Sequence, residues 1–384
     1  MVGRPQIATA TELCDDSGNM NRGDLDRLLR RLADADGSDL HLKVGSPPRI
    51  RVNGDLLRLE DETGPQPADL EAMAREIMHE RLWDSFEENW EADFAYAIMG
   101  LGRFRVNVYR QRGSVGMVFR LVRSSARDFS DLNLPETIRR LADEQRGLVL
   151  VTGPTGSGKT TTLAAMIDHI NRRRECNIVT IEDPIEVLHR DEVAAISQRE
   201  VGFDTRSFLT ALRAALREDP DVILVGEMRD TETVATALSA AETGHLVFST
   251  LHTVDAVETI NRIIDFFPPE QQKQARISLA GALKGTICQR LVPTIDGTGR
   301  VPALEIMMVN GRIQQSIIDP VRGSDISQII REGEYYGMQT FDQALVSLLE
   351  QGMIDLRSAT QAASNPHDLR VALQQRGLVP SGAR

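Results

Sequence analysis

Cysteine is scarce: the 384-residue chain holds three, Cys14, Cys176 and Cys288. They are scattered, odd in number and never form C-x-x-C, so neither a disulfide framework nor a cysteine zinc site is supported. That usage points to a reducing, cytoplasmic compartment. No apolar run reaches the length of a membrane span, and the N-terminus lacks the apolar stretch of a secretory signal. Basic residues are in deficit, 44 Lys and Arg against 56 Asp and Glu, for a formal net charge of −12. This disfavours nucleic acid as the main partner, although a local basic groove could exist. Repeats and low-complexity blocks are absent too. What is present, 41% hydrophobic and 26% charged residues, is a soluble globular composition, long enough for two or three domains.

One stretch organises the rest. Gly153-Pro154-Thr155-Gly156-Ser157-Gly158-Lys159-Thr160 matches G-x-x-x-x-G-K-[ST], the phosphate-binding P-loop. It follows the apolar run Leu148-Val149-Leu150-Val151 and precedes Thr161-Thr162-Leu163-Ala164, so it has the strand–loop–helix setting that the motif needs. Glycines let the backbone wrap closely enough for several N–H groups to point at one phosphate chain. The helix N-terminus adds partial positive charge. The residues expected to bind ATP are therefore Thr155, Gly156, Ser157, Gly158, Lys159, Thr160 and Thr161. Lys159 would reach the β- and γ-phosphates, and the Thr160 hydroxyl would ligate Mg²⁺.

Residues 1–20 lack periodicity and read as a tail. Leu25, Leu28, Leu29 and Leu32 fall at helical spacing. Strand-like alternation follows at Leu40, Leu42 and Val44, broken by Gly45-Ser46-Pro47-Pro48, and resumes at Ile50 and Val52, with Asn53-Gly54 as a hairpin signal. A helical stretch over about 68–90 and strand-like runs at 93–98, 103–110 and 116–122 complete a small α+β domain over 21–124. A linker is expected over 125–136. From 137 to 384, short aliphatic runs at 148–152, 178–181, 222–225 and 246–250 alternate with helical patterns. Parallel strands buried on both faces read this way. The expected fold class is α/β, a doubly wound RecA-like P-loop core ending in C-terminal helices from about 310, with loops at 320–324 and 365–366.

Three constellations accompany the P-loop. Asp219-Pro220-Asp221-Val222-Ile223-Leu224-Val225-Gly226-Glu227 looks like a Walker B strand, with Glu227 placed to polarise water attacking the γ-phosphate. Ile181-Glu182-Asp183-Pro184-Ile185-Glu186 ends another strand candidate, and such ends face the ligand crevice in open α/β sheets. Its carboxylates Glu182, Asp183 and Glu186 could hold Mg²⁺ directly or through water, Glu186 being preferred; a charged turn is the plainer alternative. Around the strand at 246–250 lie His245, for which a structural role is as good a reading, and His252, past the strand's crevice end, which could donate to the γ-phosphate. In the small domain, Phe104, Val106 and Val108 alternate with Arg103 and Arg105, and Arg120 lies nearby. These arginines read either as a solvated basic face or as cations completing a nucleotide site on a neighbouring subunit.

Taken together, these residues resemble the secretion ATPase (GspE/PilT) family of type II secretion and type IV pili, and within it the retraction ATPases. The resemblance runs from about 24 to 350. It includes Ser38-Asp39-Leu40-His41-Leu42, Gly102-Arg103-Phe104-Arg105-Val106-Asn107, the P-loop, 181–186 as the Asp box, 221–227 as Walker B, Ala241-Glu242-Thr243-Gly244-His245 through His252-Thr253 as the His box, and Gly337-Met338-Gln339-Thr340-Phe341-Asp342. It implies a homohexamer with a PAS-like N-terminal domain and ATP between the core of one subunit and the small domain of the next, where Arg103, Arg105 and Arg120 would reach across. It also implies a cytoplasmic protein, peripheral at the inner face of the cytoplasmic membrane, that turns an inner-membrane pilus platform protein, with a second retraction ATPase as a further partner. The four-cysteine motif of assembly relatives is missing, which favours retraction. The family's retraction motif, Ala-Ile-Arg-Asn-Leu-Ile, is altered to Arg312-Ile313-Gln314-Gln315-Ser316-Ile317, which keeps an accessory or assembly ATPase as the alternative. A nucleic-acid translocase on the same core is the alternative from another class, and a non-hydrolysing scaffold a third.

Overall fold

The computed structural model describes residues 20–379 apart from 53, 123–125 and 298; the expected tail, save its last residue, lies outside them. The chain forms two compact units, residues 1–124 and 125–384.

The first unit contains α1 (Arg22–Asp34), β1 (Asp39–Lys43), β2 (Ser46–Val52), β3 (Asp55–Arg58), α2 (Pro67–Ile77), α3 (Glu80–Asn89), β4 (Glu91–Ile98), β5 (Gly102–Gln111) and β6 (Ser114–Val122). The strands make one sheet in the order β3-β2-β1-β6-β5-β4. Helix α1 buries its leucine stripe, and Phe86, Phe104 and Phe119 are buried in the same core. Removing one such ring costs about 3–5 kcal/mol. Two sequence expectations need correction. Pro47 and Pro48 do not break the strand; they lie within β2, where its register with β1 slips between the Lys43–Ser46 and His41–Arg49 pairs, so their missing N–H groups cost the ladder little. The helix expected over 68–90 is two helices. Met78 is extended at ψ 141°, and His79 Nδ1 accepts from Leu82 N at 3.2 Å to start a new one.

The second unit contains α4 (Glu136–Ala142), β7 (Gly147–Thr152), α5 (Lys159–Asn171), β8 (Asn177–Glu182), β9 (Ala195–Glu200), α6 (Phe208–Ala215), β10 (Val222–Val225), α7 (Thr231–Glu242), β11 (Leu246–Leu251), α8 (Ala256–Asp265), α9 (Pro269–Ala282), β12 (Leu283–Pro293) and β13 (Arg300–Met308). It closes with α10 (Gly311–Ile318), α11 (Ile326–Glu332), α12 (Phe341–Glu350), α13 (Leu356–Ala362) and α14 (Pro366–Gln375). Its sheet runs β13-β12-β7-β11-β10-β8-β9. All neighbours pair in parallel except β13, which runs antiparallel to β12. The fold is RecA-like α/β. Strands β7, β10 and β11 are buried throughout, which is why they read as short unbroken aliphatic runs. The C-terminal ends of β7, β11, β10 and β8 therefore share one edge of the sheet, the edge where open α/β sheets bind ligands.

Strands β9, β12 and β13 were not anticipated. The first is a half-exposed edge with a mostly polar sequence, and the other two form a long hairpin. The expected linker also holds a core residue. Phe129 is 3% exposed, with the Arg139 guanidinium 5.3 Å above its ring and His169 edge-on at 5.3 Å. The loop expected at 320–324 is a 3₁₀ turn, Pro320–Asp325, and of the loop expected at 365–366 Asn365 ends the connection as the cap of α14, while Pro366 already opens that helix.

Candidate active site at the strand ends

Beyond β7 the chain turns through Gly153 (φ 141°), Gly156 (φ 78°) and Gly158 (φ 92°), a region that side-chain-bearing residues rarely adopt. Space enforces the first choice too, because a Cβ on Gly153 would meet the Gln289 carbonyl oxygen at 2.4 Å. Gly158 is the N-cap of α5, and no side chain caps it. The first N–H groups of the helix are thus left for an anion, with the dipole behind them. A loop shaped by backbone and not by side chains fits a phosphate chain, and the Thr160 hydroxyl on the same cleft fits the metal that would accompany it.

Lys159 Nζ donates to the carbonyls of Gly153 at 2.8 Å and Pro154 at 3.1 Å. Burial lowers its pKa, and the charges of Glu227 and Glu186 work against that fall. Both acids are thus within electrostatic reach of the P-loop lysine. The Ser157 hydroxyl is buried without a hydrogen-bond partner. Gln289, on β12, supports the loop from behind by accepting from the Thr162 hydroxyl at 2.8 Å.

A cleft of about 680 Å³ opens in front of this loop. Among the core residues singled out from sequence, Thr155, Gly156, Gly158, Lys159, Thr160, Thr161, Glu182, Asp183, Glu186, Glu227 and His252 all line it. Ser157 lies beneath the surface at 3% exposure. Walker B and the Asp box are brought together by register: Val225 lies opposite Ile181, and Gly226 N donates to the Ile181 carbonyl at 2.8 Å. The Glu227 carboxylate meets His252 Nε2 at 3.3 Å through Oε1, and both Nε (2.8 Å) and Nη2 (2.7 Å) of Arg229 through Oε2. His245 lies at the other end of β11, its Nδ1 2.9 Å from the Ala240 carbonyl, which is the structural role.

The three Asp-box acids do not share one environment. Glu182 is 9% exposed, and its Oε1 accepts from Thr180 Oγ1 at 2.7 Å and Gln198 Nε2 at 3.0 Å. Burial nonetheless raises its pKa. Asp183 and Glu186 are exposed on the cleft. Among the described residues no three His, Cys, Asp or Glu side chains gather to hold an ion. Mg²⁺ keeps several waters and takes one or two carboxylates alongside substrate phosphates, and the exposed Asp183 and Glu186 beside Thr160 fit that donor set.

Sequence reading passed over Arg229, Gln198, Gln289 and His189. Arg229 and His189 line the cleft, and burial pushes the His189 pKa down to about 4. Only Arg229 had a local signal, its place two residues after Glu227; the others are set by tertiary contact. The three arginines lie in the first unit, on β5 and β6. Arg105 pairs across the ladder with Arg120. Arg120 Nε donates to Asp39 Oδ1 at 2.8 Å, and the bonds from Ser38 and Arg120 hold Asp39 below its ordinary pKa against the cost of burial.

Comparison with known proteins follows this geometry. Residues 103–357 match the family model described as type II/IV secretion system protein. The chain is 45% identical to the type IV pilus retraction ATPase PilT of Pseudomonas aeruginosa over 90% of its own length and 99% of that protein. It is 40% identical to the type IV pilus ATPase PilU of the same organism, over 91% of each. A crystal structure of the pilus retraction motor PilT with bound ADP superposes with a TM-score of 0.82 at 46% identity, covering 90% of this chain and 98% of that one.

Proposed function

The chain belongs to the type II/IV secretion system protein family, and we propose that within it the chain is the ATP-hydrolysing motor of type IV pilus retraction. The observation that carries this reading is the convergence of the P-loop lysine, Glu227 and His252 on one cleft, in a chain similar to a retraction ATPase over nearly its whole length.

In this reading the amides at the start of α5 and Lys159 hold the triphosphate. Thr160 and the exposed Asp-box carboxylates Asp183 and Glu186, Glu186 foremost, would hold Mg²⁺, which would offset phosphate charge and fix its orientation. Glu227 accepts the proton of the attacking water. His252 touches both Glu227 and the cleft, and so couples the base to the γ-phosphate position. Arg103, Arg105 and Arg120 would act on the nucleotide of a neighbouring subunit in a homohexamer. The ring would sit at the inner face of the cytoplasmic membrane and turn the pilus platform protein; no described helix is long and apolar enough to cross a membrane. A second reading, an accessory retraction ATPase, draws on the altered stretch Arg312–Ile317 on α10 and on the likeness to PilU.

The test is phosphate release by purified protein together with a deletion strain. Glu227→Gln should bind ATP and lose turnover by about 10²–10³-fold, and Lys159→Ala should weaken binding or turnover. A deletion strain with extra pili and no twitching supports retraction; loss of pili supports assembly. Wild-type turnover in both variants would defeat the assignment.

A further inference from the structure

Glu227 is followed closely by two anchored residues. Met228, the next residue, is 1% exposed in the core. Asp230 caps α7, its two oxygens accepting from Thr233 N and Oγ1, each at 2.8 Å. Between these anchors Arg229 turns back to Glu227, and both of its contacts fall on a single oxygen: Nε at 2.8 Å and Nη2 at 2.7 Å from Oε2. Among the described residues Oε1 has the longer approach of His252 Nε2 at 3.3 Å. The arrangement is therefore lopsided, with one oxygen held by a charge-assisted hydrogen bond from Nε and a close ion-pair contact from Nη2, and the other held loosely.

We propose that Arg229 is a positioning residue for the general base: it fixes the Glu227 carboxylate through Oε2, so that Oε1, beside His252, is the oxygen that takes the proton from water. This rests on the reading of Glu227 as the base. Stability is not an adequate reason for the contact. The Arg229 side chain is 61% exposed, and ion pairs so open to water contribute little to folding. A carboxylate free to rotate would present its oxygens in many directions, and small misplacements of a reacting group cost rate steeply.

The test is steady-state phosphate release by the full chain carrying Arg229→Gln, Arg229→Lys, Glu227→Gln, and the Arg229→Gln/Glu227→Gln pair. Melting temperature and binding of a fluorescent ATP analogue are followed in parallel. Arg229→Gln should lower kcat by about 10- to 100-fold, with KM for ATP within about twofold and no loss of folding. Arg229→Lys should recover part of the rate, since one donor remains. The double variant should match Glu227→Gln within about twofold, because a residue acting through Glu227 has nothing left to act on. The proposal is overturned if Arg229→Gln keeps wild-type kcat, if KM alone changes, or if the double variant falls below Glu227→Gln by the full Arg229→Gln factor. Wild-type turnover by Glu227→Gln would instead remove the base assignment itself. That outcome is distinct from an inactive Glu227→Gln beside a normal Arg229→Gln, which overturns only this inference.

Discussion

Strands β8 and β10 lie side by side in register, each an aliphatic run leading into a glutamate, yet Glu182 and Glu227 live in different surroundings. Glu182 is 9% exposed and engaged by two neutral donors, Thr180 and Gln198. The side chain of Glu227 is 20% exposed and engaged by a guanidinium and an imidazole. Burial favours the protonated form of Glu182, whereas Glu227 faces the cleft beside a guanidinium. The chemistry at a strand end thus follows from what surrounds the acid, and having an acid there is only the first requirement. Under the proposed function a proton acceptor must reach water, which the position of Glu227 on the cleft allows, whereas Glu182 is engaged within the Asp box.

The strongest way to break this contrast is to neutralise each acid in turn. Glu227→Gln should lose about 10²–10³ in kcat, while Glu182→Gln should stay within about threefold of wild type. Equal losses, measured as phosphate release at saturating ATP, would mean that both carboxylates act on the nucleotide.

The same contrast explains what could be read in the chain. The P-loop was legible because its chemistry is local: glycines at fixed offsets between a buried run and a helix. The strands β7, β8, β10 and β11 were legible because burial on both faces leaves unbroken aliphatic runs. The half-exposed edge strand β9 gave no such signal, its sequence being Ala-Ile-Ser-Gln-Arg-Glu. The β12–β13 hairpin was hidden because its pattern mixes Lys, Thr, Gln and Arg with aliphatics. Glu182, Asp183 and Glu186 were legible as a group but not as individuals. What separates them is Gln198, sixteen residues further on, which donates to Glu182. Contacts made by folding, such as this one and that of Gln289 with Thr162, leave no spacing to detect.

Gln198 offers the next test. Its amide bridges three groups, donating to Glu182 Oε1 and to the Val187 carbonyl, each at 3.0 Å, and accepting from His189 N at 2.8 Å. Gln198→Ala removes one of the two side-chain donors on Glu182 and leaves two backbone groups of the Asp-box loop without their Gln198 partner. The expected cost is about 2–3 kcal/mol, seen as a melting temperature lower by roughly 4–10 °C, with a smaller fall in turnover as the loop carrying Glu186 loosens. An unchanged melting curve would show that the loop is held by other means and that Glu182 is not structural.

The smallest expected effect has a definite sign. Burial holds the Glu182 pKa above the ordinary glutamate value of 4.5 in the folded chain. At pH below that value both folded and unfolded chains carry the proton, and the stability that comes from burying a neutral acid is fully present. As pH rises the unfolded chain ionises first, so the folded chain holds more protons and stability falls until Glu182 itself ionises. Glu305, buried and pushed up to about 7, adds a slope of the same sign in both proteins. Glu182→Gln cannot titrate at this position, so the difference between the two melting curves isolates Glu182. The variant should gain on wild type from the acid side to neutral pH, a change in melting-curve difference with a definite sign. If the variant loses ground instead, Glu182 is stabilised as a carboxylate, and the distinction between the two strand ends collapses.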